Sequence, residues 1–256
     1  MRKLIFIVAI FALGCKSKET LEMSGAYNLL SQSVNDGQKD SIMVGVKQLK
    51  IYTANHMMYA HLTADSASSF GVGSYSIQPD GVKENIMYTS TDSTVTEPGG
   101  FFNLAIEKTP TGYKQVITGI ESQGIKYKLT EEYESVGVTK SSPLDGAWKL
   151  LKRYSITDKD TVRSEATQFK TYYAGHVVWG VTYVDTLKHK HTGFGYGSFD
   201  MTSDSKVKET IEVTSFSSIG AMSFDIDIEF KGPDGYKQKI TGTDGVKHIE
   251  EYQRLK

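Results

Sequence analysis

Two glutamates stand out because each lies among apolar residues that a strand would turn to the same side. Glu84 alternates with Val82, Ile86 and Tyr88, and Glu209 alternates with Val207, Ile211 and Val213. Side chains two apart on a strand share a face, so both carboxylates point where their apolar neighbours point. Gln115 lies in the same way between Tyr113 and Ile117, and Gln238 between Tyr236 and Ile240. Glu131 shares a face with Tyr133, and Glu250 with Tyr252. A buried carboxylate is costly unless paired or hydrogen bonded. Its recurrence at matched positions therefore needs a reason. One reason is a cavity in which a few placed polar groups orient a bound molecule. The others are mutual structural satisfaction and a wet barrel rim.

A second matched set is His56 with Tyr59 and His176 with Trp179. Each histidine follows a turn and opens an apolar strand. It can bond loop backbone, contact a ligand, or act as acid or base beside Glu84 or Glu209 if the pair lies within hydrogen-bond reach. The candidate ligand-binding residues are thus Glu84, Gln115, Glu131, Tyr133, His56 and Tyr59, with Glu209, Gln238, Glu250, Tyr252, His176 and Trp179 as their counterparts. His61 and His248 lack counterparts and read as incidental. His189-Lys-His191 has a chelating spacing, but it reads as a polar loop with no thiol or carboxylate close by, and structural metal sites use a fuller ligand set. Phe70-Gly-Val-Gly73 and Phe194-Gly-Tyr-Gly197 precede no helix and lack the lysine of a phosphate loop. Their glycines read as sites of bending or close backbone approach. With no G-x-S-x-G motif either, no catalytic residue, metal or cofactor is assigned.

The candidates come in pairs because the chain does. Gly112-Tyr-Lys-Gln-Val-Ile-Thr-Gly119 recurs almost unchanged as Gly235-Tyr-Lys-Gln-Lys-Ile-Thr-Gly242. Gln48-Leu-Lys-Ile-Tyr52 answers Gln168-Phe-Lys-Thr-Tyr172, and Val82-Lys-Glu-Asn-Ile86 answers Val207-Lys-Glu-Thr-Ile211. Two copies of a long unit make a domain duplication. The divisions are a signal peptide over 1–14, a tether over 15–22, a first domain over 23–134, a linker over 135–144 and a second domain over 145–256. Each half reads as eight strands, near 26–34, 46–53, 56–63, 70–77, 82–89, 101–108, 113–120 and 125–134 in the first. Met222, Phe224, Ile226, Ile228 and Phe230 alternate with polar residues, and Gly232-Pro-Asp-Gly235 is a turn signal. Short connections favour an all-β meander closed into an up-and-down barrel, because closure removes exposed edges. A sandwich is the runner-up. A membrane-spanning barrel is disfavoured, since Lys208, Asp225, Asp227 and Lys237 occupy outward positions that lipid would need apolar.

Composition bounds the rest. The formal net charge is −1, which gives nucleic acid no basic footprint. Cys15 is the only cysteine, so each domain of about 115 residues must be stable by core packing alone. Met1-Arg-Lys3 followed by the apolar run Leu4–Leu13 fits a secretory signal and is too short to span a bilayer. Ala12-Leu13-Gly14-Cys15 resembles a bacterial lipobox, which implies lipidation of Cys15 and a membrane anchor. The expected location is the cell envelope, as an outer-membrane lipoprotein on either face.

Gly146-Ala-Trp148 opens the second half and Gly25-Ala-Tyr27 the first. This resembles the G-x-W signature of lipocalins, whose Trp plugs the closed barrel end. With the meander and the closing Glu-Glu-Tyr, each half is similar to lipocalin-like domains of unknown function in Bacteroidetes lipoproteins. The resemblance implies a small barrel with an internal cavity and no established activity. Arg254 is the one counterpart of the lipocalin basic residue on the last strand. The functional expectation is noncatalytic binding of a small, partly apolar molecule, with an envelope interaction module of filled cores as the alternative. Protein partners are unassigned.

Overall fold

The computed structural model describes residues 21–91, 100–122, 124–217, 222–242 and 245–256. The signal peptide, Cys15 and most of the tether lie outside the described residues. The first half comprises β1 (Gly25–Asn35), β2 (Asp40–Met43), β3 (Lys47–Tyr52), β4 (His56–Leu62), β5 (Ser68–Gln78), β6 (Gly81–Thr89), β7 (Phe101–Lys108), β8 (Gly112–Ser122) and β9 (Ile125–Ser135). The second comprises β10 (Gly146–Ile156), β11 (Thr161–Arg163), β12 (Ala166–Tyr173), β13 (His176–Val184), β14 (Lys190–Ser203), β15 (Lys206–Thr214), β16 (Met222–Phe230), β17 (Gly235–Thr241) and β18 (Lys247–Arg254).

Both halves are closed antiparallel barrels of eight strands in up-and-down order. β1 pairs with β9 and β10 pairs with β18 to shut each sheet. The expected strands are all present. The short strands β2 and β11 are additions: each folds back as a hairpin on the far end of β1 or β10, along the edge that β3 or β12 has left. Their alternation is invisible because all their residues are exposed.

Each barrel has a closed end built from aromatic rings. In barrel two, Trp148 donates its indole N–H to the Leu144 carbonyl at 2.7 Å and meets Tyr236 edge-on at 4.7 Å. The Arg254 guanidinium lies 4.0 Å from the Trp148 ring and donates to the carbonyls of Asp145, Pro143 and Pro233. Gly146 has φ +139° and a Cβ there would strike Arg254, so the glycine makes room for the plug. In barrel one, Tyr27 takes the Trp position and meets Tyr113 edge-on at 4.9 Å. Ser135 aligns with Arg254, so this end lacks the guanidinium, and Leu21 and Met23 pack on it instead.

The two barrels share a third core. β3, β4 and β5 turn Leu49, Ile51, Met58, Ala60, Phe70 and Val72 outward, where they meet Phe169, Val178, Phe194 and Tyr196 of barrel two. This explains why β3 and β12 are buried on both faces. Thr171 donates to the Met58 sulfur at 3.4 Å. Thr171 pairs across its hairpin with Val178, as Ile51 does with Met58, so equivalent levels of the barrels meet, and the contact of His176 with Gly137 sets the two closed ends on the same side.

Tyr88 and Val213 depart from the faces that plain alternation gives them. Tyr88 does not share the inward face of Val82, Glu84 and Ile86, and Val213 does not share that of Val207, Glu209 and Ile211. A register shift sets Gly73 opposite Ile86 but Val72 opposite Tyr88, and the same shift sets Gly197 opposite Ile211 but Tyr196 opposite Val213. One extra residue flips every later side chain to the other face. Tyr88 thereby stacks on Phe70 at 5.5 Å and reaches Phe169 of the other barrel at 5.3 Å. Gly73 and Gly197 lie at these bulges, where a Cβ would meet the Asn85 or Thr210 carbonyl oxygen.

Gly180 is a point of close approach in the shared core, because a Cβ there would lie 2.3 Å from the Phe70 ring. Gly180→Val should lower stability by about 1–3 kcal/mol through overpacking, read as a lower denaturant midpoint. An unchanged midpoint would contradict the close approach.

Candidate functional site

The inner face above each aromatic end is polar. In barrel one, Gln48, Lys50 and Tyr52 project inward from β3, because they alternate with the interface residues Leu49 and Ile51. The Lys50 ammonium lies 2.7 Å from Glu84, with both side chains 4% exposed. Tyr52 donates its hydroxyl to the same carboxylate. Lys50 also donates to the Gln115 carbonyl at 3.3 Å, and the Gln115 amide donates to Glu131. Glu131 further accepts from Gln32 at 2.7 Å and from Tyr133 at 3.1 Å. Gln48 donates to the Tyr133 hydroxyl, and His61 lies 2.8 Å from Gln48.

Barrel two repeats the design. The Lys170 ammonium contacts the two Glu209 oxygens at 2.9 and 3.3 Å and the Gln238 carbonyl at 3.4 Å. Tyr172 donates to Glu209. Gln238 donates to Glu250 at 2.7 Å, Tyr252 donates to Glu250 at 2.6 Å, and Gln168 donates to Tyr252 at 2.6 Å. Burial, followed by the neighbouring carboxylates, pushes the phenols of Tyr52, Tyr133, Tyr172 and Tyr252 well above their ordinary range. These tyrosines therefore stay protonated and act as donors.

Two substitutions separate the copies. Arg153 of barrel two takes the place of Gln32, each facing the last strand opposite Glu250 or Glu131. Val181 takes the place of His61. Barrel one thus sets two carboxylates against one ammonium, whereas barrel two adds a guanidinium 3.5 Å from Glu250. The Glu131 carboxyl is raised above 4.5 mainly by burial, although Lys50, Gln32 and Tyr133 oppose the shift.

Barrel two opens above its network into a cavity of about 1230 Å³. Its floor includes Lys170, Glu209, Gln238, Glu250 and Gln168, and its walls include Trp179, Val181, Phe216, Phe224 and Ile240. Gly195 underlies the Trp179 ring and Gly193 the Phe216 ring, since a Cβ at either would strike that ring. The two rings stack at 6.0 Å. Tyr59 lies on Gly71 in the same way in barrel one, and burial pushes its phenol up to about 12.

The structure brings Glu84, Gln115, Glu131 and Tyr133 into one network, and Glu209, Gln238, Glu250 and Tyr252 into the other. Tyr59 and Trp179 face the same interiors. His56 and His176 do not. They are an odd number of residues from Tyr59 and Trp179 on straight strands, so they face outward with Met58 and Val178. His176 contacts the Gly137 carbonyl at 3.1 Å. Burial lowers the pKa of both histidines, more than their backbone contacts raise it. The acid–base pairing of Glu84 with His56 and of Glu209 with His176 therefore lacks its geometry.

The two lysines, Gln48, Gln168, Tyr52 and Tyr172 were absent from the expected set, yet their spacing at every second residue of matched strands was a usable signal. His61, read as incidental, belongs to the barrel-one network. His191 meets a carboxylate after all, with Asp185 at 2.8 Å. Among the described residues no group of three or more His, Cys, Asp or Glu is placed to hold a metal.

No family model and no curated protein matches the chain. Among solved structures, a protein of unknown function from the DUF3598 family of Nostoc punctiforme is similar over 91% of this chain and 96% of its own, at 9% identity and a TM-score of 0.28. An uncharacterized protein from Saccharomyces cerevisiae, YLR301w, is similar over 92% of this chain and 99% of its own, at 8% identity and a TM-score of 0.39.

Lys170→Met should cost about 3–5 kcal/mol because it strands Glu209 as a buried charge, and adding Glu209→Gln should recover part of that loss. Equal stability of the single and double variants in urea would contradict the pairing. Glu131 gives a pH signature of opposite sign to an ordinary paired carboxylate. Its folded pKa is raised, so its contribution is fully present below the unfolded value and is lost as pH rises through the folded one. The stability of Glu131→Gln relative to wild type should therefore increase as pH rises above 4.5. A pH-independent difference would contradict the shift.

Proposed function

We propose that this chain is a noncatalytic binding protein of the cell envelope that takes a small, partly apolar molecule into the open cavity of barrel two. The observation that carries this reading is the combination of a wide apolar-walled cavity with a fixed polar floor. Binding sites have this composition: apolar walls supply burial and a few placed donors and acceptors supply orientation. The floor is rigid before a ligand arrives, because Tyr172, Tyr252, Gln168 and Gln238 already hold its carboxylates. Preorganisation of this kind lowers the cost of binding.

The signature Gly146-Ala-Trp148 and the stacked Arg254 support a kinship with lipocalin-like domains such as those of Bacteroidetes lipoproteins. The anchor part of the proposal rests on the lipobox-like Ala12-Leu13-Gly14-Cys15. A lipid on Cys15 would hold the protein through buried methylenes at about 0.8 kcal/mol each. Leu21 and Met23 pack on the closed end of barrel one, so the tether departs from the side opposite the mouth of barrel two. On this proposal barrel two opens away from the anchoring membrane.

Native mass spectrometry of the full chain purified from membranes tests both parts. The expected result is a lipid-modified Cys15 and a co-purified small molecule that Ile240→Trp, placed in the cavity wall, excludes. An unmodified terminus would overturn the anchor, and a bare polypeptide mass with an unaltered Ile240→Trp would overturn the binding role.

A further inference from the structure

We propose that the outer wall of barrel one, formed by β6, β7 and β8, is an interface for a second copy of this chain. The two barrels differ on the outside at this wall. Lys83 pairs with Asn103 as Lys208 does with Asp225, and Ile106 pairs with Gln115 as Ile228 does with Gln238. On that register Met87, Phe101, Asn103, Ala105 and Val116 of barrel one take the places of Glu212, Ser223, Asp225, Asp227 and Lys239 in barrel two. Barrel two thus carries a solvated charge ladder, in which Asp227 is held by Lys206 at 2.7 Å and by Lys239 at 2.8 Å. Barrel one has no charge at any of these places. Phe101 is 53% and Met87 45% exposed, and the Lys83 ammonium lies 4.1 Å from the Phe101 ring. Leu104, with Phe102 and Ile106, serves the interior from β7, so the outward apolar groups add nothing to the core of their own barrel. A contiguous apolar patch of this kind marks an interaction site.

A second barrel wall is the occupant that fits. The chain already packs wall on wall where β3–β5 meet barrel two, and β7 and β8 contribute nothing to that shared core. Self-pairing sets no like charges against each other at the centre of the patch. Its border, where Glu107 stands opposite Lys114, carries both signs. On the anchor reading the closed ends face the membrane, so this side wall looks along the membrane toward a neighbouring copy and away from lipid; this point alone rests on that reading. With closed ends on one side, two such walls meet level with level. Each copy's Phe101 then stands at the level of the other's cavity of about 350 Å³, which lies beyond the last β7–β8 pair, Leu104 with Ile117, beside Asn103, Thr118 and Gly119. Three strands about 4.8 Å apart and roughly 20 Å long make a smaller surface than the ~800 Å² per partner of a standard interface. The pairing is therefore weak and depends on concentration, which anchoring to one membrane raises.

Sedimentation equilibrium of the full chain in density-matched detergent tests this. The mass of the wild type should rise toward that of a dimer above about 0.1 mM. Combining Met87→Glu, Phe101→Ser and Val116→Lys installs the residues of barrel two, where the same wall folds, and should weaken pairing about tenfold or more. Circular dichroism confirms that the variant is folded. A wild type that stays monomeric at about 1 mM would overturn the second copy and leave the wall to another partner. A dimer that survives in the folded triple variant would overturn the wall as the interface. A chain that dimerises through this wall without lipid on Cys15 would remove the anchor reading and uphold the interface.

Discussion

The buried lysine–glutamate pair on the inner wall is the constraint around which each barrel is arranged. Lys170 and Glu209 are each 3% exposed in their side chains, and Lys50 and Glu84 are 4% exposed. Charges so removed from water are tolerated only with close pairing and further hydrogen bonds. The closed, eight-stranded wall meets that demand. It brings β3, β6, β8 and β9 of barrel one, or β12, β15, β17 and β18 of barrel two, around one axis, so that each contributes a polar group at the same level. A sandwich would not converge these four strands, of which only β8 and β9, or β17 and β18, are neighbours, on one point in this way.

The polar level also divides each interior. Below it, tyrosines and the plugging aromatic fill the barrel, with Tyr113 stacked on Tyr133 and Tyr236 on Tyr252 at 4.9 and 4.8 Å. Their hydroxyls and those of Tyr52 and Tyr172 make the transition from apolar core to charged layer. Above it, barrel two is open. The duplication let the copies diverge at single positions without altering the wall: Arg153 for Gln32, Val181 for His61, and Trp179 for Tyr59. The shared core between the barrels is the other consequence of duplication. Strands β3–β5 and β12–β14 must bury both faces, and the Gly180–Phe70 contact and the flipped Tyr88 are how the two outer surfaces fit.

Much of this was legible from alternation and from the repeat. The strands, the closure and the inward Glu, Gln and Tyr positions follow from a period of two read twice. Lys50 and Lys170 were not recognised, because a lysine between apolar residues reads as an outward, solvated side chain. Leu49, Ile51 and Phe169 reverse that reading: they are the outward residues, and they are apolar because a second barrel covers them. No pattern within one copy reports a neighbour on its outside. The bulges that turn Tyr88 and Val213 are silent for a related reason, since a bulge is fixed by pairing with the next strand. His56 and His176 were grouped with Tyr59 and Trp179 by proximity in the chain, although an odd spacing on a strand places them on opposite faces.

The central claim is that barrel two, through the cavity above its lysine–glutamate floor, is the binding unit. The chain has two tryptophans, one in each relevant place: Trp179 in the cavity wall and Trp148 in the closed end. Their indole N–H signals in a nitrogen–proton correlation spectrum can be followed while N-phenyl-1-naphthylamine, a small and partly apolar molecule, is added. The Trp179 signal should shift in a saturable manner while the Trp148 signal stays in place. A Trp179 signal that does not move, or movement confined to Trp148, would contradict it.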